Sequence, residues 1–241
     1  MKIGVEELGR LTGELAHEIK NPLSSIKINL KLIREELESA KSVEANQTGQ
    51  GRSSQSFTRA LRKIAVVEKE TDRLEQILEG FLRYIARPEL QLASIDISLV
   101  ISDMIDFYSP QAHSHSIIIR QQLYDKPLVC KVDEGMLKQA ILNLFINAQQ
   151  AMSDGGELLI RTDRQKKDAV IQISDTGSGI APDKLPYIFD VYYSSRPQGS
   201  GLGLPTAKKI VEAHNGTISV DSEPGKGTSF TIRIPIHAEG V

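Results

Sequence analysis

The chain has little of what staples, anchors or strongly charges a protein. One cysteine, Cys130, stands among 241 residues, so no disulfide can form within the chain. In "PLVCKV" it reads as a small buried strand residue. No apolar run approaches the ~18 residues that a membrane helix needs. The opening "MKIGVEELGR" has no apolar h-region, so no signal peptide is expected, and a cytosolic location is the default. Neither sign of charge is in excess: Lys+Arg is 29 against Asp+Glu at 31, a net −2. That balance gives no reason to expect a nucleic-acid or anionic-membrane partner.

What remains is the composition of a soluble globular protein, 40% hydrophobic and 25% charged. The length suits one large domain or two modest ones. Two periodicities divide it. Leu8, Leu11, Leu15, Ile19, Pro22, Ile26, Leu30, Ile33 and Leu37 repeat at spacings of 3, 4 and 4. This eleven-residue pattern, about 3.67 residues per turn, predicts a straight or slightly right-handed helix. A second stripe runs through Phe57, Leu61, Ile64, Val67, Leu74, Leu78, Phe81 and Ile85, weakest at Thr71. The polar "SAKSVEANQTGQGRSSQS" between them reads as a flexible connection. The simplest object is a helical hairpin, and a homodimeric four-helix bundle would cover its remaining apolar face.

Past Pro88 short β-like runs alternate with amphipathic helices, an α/β layer pattern. Helices are expected over 98–112, 133–152 with Asp133 as N-cap, and 204–216 with Asn215-Gly216 as its stop. Strands are expected over 116–123 and 127–132, with hairpin pairs at 156–164/168–175 and 217–223/227–236. The organisation is therefore residues 1–88, the hairpin, and residues 92–241, the α/β domain.

"LAHEIKNPLSSI" places His17, Glu18 and Asn21 just ahead of Pro22. At ~100° per residue, His17 lies roughly opposite the apolar stripe and is expected to face solvent. Pro22 offers no N–H to the carbonyl of Glu18, which loosens the helix one turn after the histidine. A zincin needs H-E-x-x-H, and Asn21 stands where its second histidine would be. The remaining readings are a solvated surface histidine and a nucleophile. An imidazole is available as the neutral base near pH 7, with a carboxylate neighbour able to accept or orient its ring proton.

Three glycine-containing stretches follow in order: "SDTGSGI", "QGSGLGLPTAKK" and "EPGKGTSF". Glycines allow close approach of backbone to a ligand, and a glycine-rich run into a helix N-terminus aims N–H groups at an anion. Each stretch alone is a weak signal. The P-loop pattern is absent, and so is the dinucleotide spacing after a strand. Asn143 and Asn147, one turn apart in the apolar "AILNLFINA", are either satisfied by hydrogen bonds or held ready for a hydrated Mg²⁺ beside phosphates.

Taken in order, these pieces resemble the transmitter module of sensor histidine kinases, of the nitrogen-regulation type. "HEIKNPL" is similar to the H box, "LNLFINAQQAM" to the N box and "DTGSGI" to the G1 box. "LPYIFDVYYSSR" resembles the F box, "GSGLGLPTAKKIVEAHNG" the G2 box and "GKGTSFTIRIP" the closing segment. The resemblance implies a helical hairpin, a four-helix bundle as a dimer, followed by an α/β sandwich of the Bergerat (GHKL ATPase) type. It implies ATP and Mg²⁺ as cofactors, and a homodimer and a response-regulator receiver domain as partners.

By that resemblance His17 takes the γ-phosphoryl group of ATP, with Glu18 as general base or ring-orienting group. Asn147, supported by Asn143, ligates Mg²⁺. Asp175 accepts from the adenine amino group, Gly177 and Gly179 shape the loop beneath the base, and Thr228 completes the adenine pocket. Gly199, Gly201 and Gly203 form a mobile lid, joined by Leu204. Related ATPases carry a water-activating Glu where Asn143 stands, so transfer to His17 is favoured over hydrolysis. Glu18 to Asn21 also resembles a phosphatase motif, with Asn21 orienting water against a phosphorylated aspartate. Two departures stand out. Gln150 replaces a basic residue near the phosphates, for which Arg196 is the substitute, and Tyr192 and Tyr193 replace two Phe, implying a wetter edge. His214 is expected to be structural, carrying partial positive charge in a helix's last turn; "HSH" at 113–115 is expected to be a loop. The rival readings are a Bergerat-fold ATPase or serine kinase, and an ATP-binding relative that signals without kinase activity.

Overall fold

The computed structural model describes residues 5–44, 50–85, 90–194 and 201–237. They form two compact units, one of two long helices and one of mixed α/β structure.

In the first unit α1 (Val5–Glu44) packs against α2 (Gln50–Ile85). Leu11, Pro22 and Ile33 are the buried positions described on α1, and they stand eleven residues apart as the repeat requires. α1 is unbroken across Pro22, whose ring is buried in the hairpin. On α2 the inner line is Ala60, Ile77 and Phe81, with Val67 and Leu74 half-buried. Lys63 and Glu36 tie the two helices at 3.0 Å. Leu30, Leu61 and Leu78 keep 53%, 65% and 48% of their surface exposed, so a second apolar face lies outside the hairpin's own seam.

The flexible connection expected over 39–56 is largely helix, since α1 runs to Glu44 and α2 starts at Gln50; residues 45–49 lie outside the described residues. Polarity misled the reading. Ala40, Lys41, Gln50 and Arg52 are good helix formers, and extending an existing helix adds a hydrogen bond per residue without a new nucleus. No helix among the described residues is long and apolar enough to cross a membrane.

The second unit is a two-layer sandwich. Its strands are β1 (Ala93–Asp96), β2 (Ile117–Gln122), β3 (Val129–Val132), β4 (Gly156–Gln165), β5 (Asp168–Asp175), β6 (Thr217–Glu223) and β7 (Gly227–Pro235). The main sheet has the order β2-β4-β5-β7-β6, with β2 parallel to β4 and the other pairs antiparallel. Leu158, Ile160, Ile171, Ile173, Phe230 and Ile232 point to the core, while their neighbours Arg161, Gln172 and Thr231 face outward. The core is shared with α3 (Ile97–Ser114), α4 (Glu134–Ala151) and α5 (Gly203–Ala213). Both expected strand pairs, β4/β5 and β6/β7, are hairpin neighbours.

Two local readings change. β1 pairs antiparallel with β3 in a separate two-stranded sheet; at four residues, half of them exposed, "ASID" has no apolar alternation to announce it. The histidines of "HSH" are not in a loop: His113 is in the last turn of α3 and His115 is its C-cap. Their polar side chains hid a helix end held by the core contacts of Tyr108 and Ala112.

Candidate functional site

Asp175 ends β5 directly opposite Thr228 of β7. The residue is 6% exposed, and one carboxylate oxygen, Oδ1, accepts the N–H groups of Gly177 at 2.9 Å and Thr228 at 3.2 Å. A buried carboxylate is costly unless hydrogen-bonded, and these two amides contribute to holding it there.

The loop after Asp175 is fixed at both ends. Ser178 donates its N–H to the carbonyl of Ala151, at the end of α4, at 3.1 Å. Gly225, in the β6–β7 turn, donates to the carbonyl of Ser178 at 2.8 Å. The backbones approach so closely that only glycine fits. A Cβ on Gly179 (φ +67°) would sit 2.1 Å from the carbonyl oxygen of Glu223. One on Gly227 (φ +100°) would sit 1.9 Å from that of Asp175, and one on Gly177 2.6 Å from that of Ala151. The expectation that Gly177 and Gly179 shape this loop thus acquires a mechanism, and Gly227 joins them.

Asn143 and Asn147 lie one turn apart on α4 and are half-buried, flanking the fully buried line of Leu137, Ala140, Ile141 and Leu144. They are therefore at the rim of the core rather than inside it, with two neutral amide groups on one side of the helix. Neutral oxygen donors beside phosphates suit Mg²⁺, which keeps part of its water shell. In the last turn of α4, Gln149 accepts from the Tyr108 hydroxyl and from Gln111 Nε2 at 3.1 Å. Burial pushes the Tyr108 phenol up to about 12, so it remains a donor at any physiological pH.

Of the expected lid residues, Arg196 and Gly199 lie outside the described residues. Gly201 (φ +63°) is anchored by its carbonyl, which accepts the N–H of Tyr192 at 3.0 Å. A Cβ there would meet the Tyr192 backbone at 2.4 Å. Gly203 opens α5 with no atom within 4 Å of a would-be Cβ. Leu204 packs partly buried against the core. The wetter edge expected from the two tyrosines fails at Tyr192, whose hydroxyl is buried; Tyr193 packs against Tyr187 at a tilt of 39°, with ring centroids 5.9 Å apart.

On the hairpin, His17 lies within α1 one turn before Asn21, which is exposed. The direction of the His17 imidazole falls outside the described side chains. Glu18 is half-buried, its carboxylate 3.9 Å from the guanidinium of Arg73 on α2. Reading the sequence missed Arg73, because no local spacing links it to Glu18.

It also missed Ser222, whose only signal is its register opposite Thr228 in the closing hairpin. His214 is structural, as expected: its Nδ1 lies 2.8 Å from the Ile210 carbonyl, which accepts, and its Nε2 accepts the Asp133 N–H at 2.9 Å.

Comparison with known proteins bears on both units. A His Kinase A (phospho-acceptor) domain matches residues 7–87. A histidine kinase-, DNA gyrase B- and HSP90-like ATPase domain matches residues 132–238. Sensor histidine kinase ZraS of Escherichia coli (strain K12) is 34% identical over 95% of this chain and 46% of its own length. Sporulation kinase E of Bacillus subtilis (strain 168) is 30% identical over 95% of this chain and 29% of its own. The chain thus spans about half the length, or less, of these curated relatives. The crystal structure of histidine kinase ThkA in complex with response regulator protein TrrA shares the fold, at TM-score 0.75 and 21% identity over 98% of this chain and 64% of that one. Full-length ShkA in complex with AMPPNP matches at TM-score 0.64 and 25% identity, over 95% of this chain and 47% of that one.

Proposed function

Because the chain belongs to the sensor histidine kinase family, with a phospho-acceptor domain ahead of an ATPase domain, we propose that it phosphorylates itself on His17 from ATP. The phosphoryl group then passes to an aspartate of a response-regulator receiver domain. One observation carries the reading. The same chain holds H-E-x-x-N-P on a hairpin helix of the phospho-acceptor domain, and a buried carboxylate in a glycine cradle within the ATPase domain.

In this reading Asp175 and Thr228 hold the adenine, and Gly177 and Gly179 let the base approach the backbone. Asn147 and Asn143 would hold Mg²⁺, which when bound supplies charge neutralisation on the phosphates. Gly199, Gly201, Gly203 and Leu204 would form the lid over the same phosphates, with Arg196 as the added cation. A nitrogen of His17 attacks the γ-phosphorus. The N–P bond forms, the bond to the bridging oxygen breaks with its electron pair going to ADP, and Glu18 takes the ring proton. Phosphoryl transfer asks for positioning and charge stabilisation more than for covalent help. Asn143 is a poor base, so water is a poor competitor for His17. Asn21, exposed one turn after His17, would orient water in the separate task of hydrolysing the receiver's aspartyl phosphate to free carboxylate and inorganic phosphate.

The exposed leucines of the hairpin support a homodimer closing a four-helix bundle. A receiver domain as partner is supported by the ThkA–TrrA complex of the same fold. A cytosolic site of action, where ATP is, goes with this reading. The test is incubation with γ-labelled ATP and Mg²⁺. Label that is acid-labile, base-stable and absent from His17→Gln is expected. Acid-stable label, or label that persists in His17→Gln, overturns it.

A further inference from the structure

Ser222 of β6 stands directly opposite Thr228 of β7. Its hydroxyl has three neighbours: it accepts the N–H of Ile180 at 2.8 Å, donates to the carbonyl of Gly227 at 2.9 Å, and lies 3.0 Å from Oγ1 of Thr228. A hydroxyl has one proton and two lone pairs. The carbonyl of Gly227 only accepts, so it takes the serine's proton. The Ile180 amide only donates, so it takes one lone pair. The second lone pair is what Ser222 has left for Thr228, and Thr228 is therefore the donor between the two hydroxyls. Its proton is then committed to β6, and its N–H is committed to Asp175 at 3.2 Å. Toward a ligand Thr228 is left with oxygen lone pairs, beside a carboxylate that only accepts.

We propose that Ser222 is a positioning residue for base selection. By accepting the hydrogen bond of the Thr228 hydroxyl it makes the Asp175–Thr228 corner an acceptor-only surface, which takes a purine edge bearing an amino group and refuses one bearing a carbonyl. The inference rests on the assignment of Asp175 and Thr228 to the adenine pocket. Without Ser222, Thr228 rotates freely and donates to a guanine carbonyl as readily as it accepts. A site whose polar groups are committed discriminates by leaving the wrong partner's group unpaired.

The test measures ATP and GTP affinity of the whole chain by calorimetry, in wild type, Ser222→Ala, Ser222→Thr and Asp175→Asn. Ser222→Ala is expected to lower the ATP-over-GTP affinity ratio about tenfold, the worth of one hydrogen bond, mainly by tightening GTP. Ser222→Thr, which keeps the hydroxyl, restores the ratio. In a Thr228→Val background Ser222→Ala is expected to leave the ratio unmoved, as two residues acting through one contact must. Should Ser222→Ala fail to fold, Ser222→Cys, nearly the same size but a weak acceptor, gives the same readout. An unchanged ratio in the single variant, or equal loss of both nucleotides, overturns the role of Ser222 while Asp175→Asn still loses ATP. Undiminished ATP binding by Asp175→Asn instead overturns the pocket assignment beneath it.

Discussion

The backbone N–H of Asp133 donates to Nε2 of His214 at 2.9 Å, across 81 residues of chain. Through that bond the start of α4, the helix that carries Asn143 and Asn147, is tied to the end of α5, which follows the glycine-rich stretch. Asp133 has two further tasks. Its carboxylate caps α4 by accepting the Met136 N–H at 3.0 Å, and it accepts the N–H of Gln91, at the entry to the α/β unit, also at 3.0 Å. The two helices that frame the candidate nucleotide site are thus fixed to each other and to the incoming chain at one residue.

Removing the imidazole is expected to be costly. His214 is 3% exposed, so His214→Ala leaves both a hole and an Asp133 amide without its acceptor. The two effects together are worth about 2–4 kcal/mol. For a domain near 150 residues this lowers the melting temperature by roughly 5–15 °C. Thermal unfolding followed by circular dichroism checks it. A shift within a degree would mean that the bond contributes nothing.

The same corner sets an acid limit. The Met136 amide, and after it the Gln91 amide, hold the Asp133 carboxyl below the usual carboxylate range. A carboxyl depressed on folding stabilises the protein above its unfolded value, about 4, and loses that contribution as pH falls through the lower folded value. Wild type should therefore lose stability steadily below about pH 4. Asp133→Asn should be less stable than wild type at pH 7, and the gap should close on acidification. Urea unfolding at a series of pH values reads the gap directly; a gap independent of pH would refute the assignment.

What the sequence made legible depended on range. The strand pairs β4/β5 and β6/β7 have alternating apolar residues and short turns, both local signals. Leu11, Pro22 and Ile33 announce their shared face by spacing alone. Motif wording singles out Asp175 and Thr228, which the fold sets opposite each other, yet it does not give the reason for the glycines. Gly227 is required because the carbonyl of Asp175 lies against it, and Asp175 is more than fifty residues away in sequence. Arg73, Ser222 and the His214–Asp133 bond were missed for the same cause: each is a long-range pairing whose members look ordinary where they stand. The parallel pairing of β2 with β4 belongs to this class too, since the intervening α4 hides it from any local pattern.

The glycines of the closing turn separate two effects that a motif cannot. Gly225 and Gly227 both have positive φ, +76° and +100°. Alanine at 225 meets no atom within 4 Å, so its cost is the backbone conformation alone, about 1–2 kcal/mol. Alanine at 227 adds a Cβ that would lie 1.9 Å from the Asp175 carbonyl oxygen and 3.0 Å from the Thr176 Cα. Both are backbone atoms of the neighbouring strand and its exit, so relief requires β5 and β7 to separate at the Asp175–Thr228 pair. That movement also pulls the Thr228 N–H away from the Asp175 carboxylate. Gly227→Ala should therefore cost more than roughly 3 kcal/mol and abolish ATP binding, whereas Gly225→Ala should keep nucleotide affinity within about threefold of wild type. Denaturant unfolding and nucleotide titration of the two variants side by side test the pair; equal losses would mean that the close approach of β5 to β7 is not what the glycine provides.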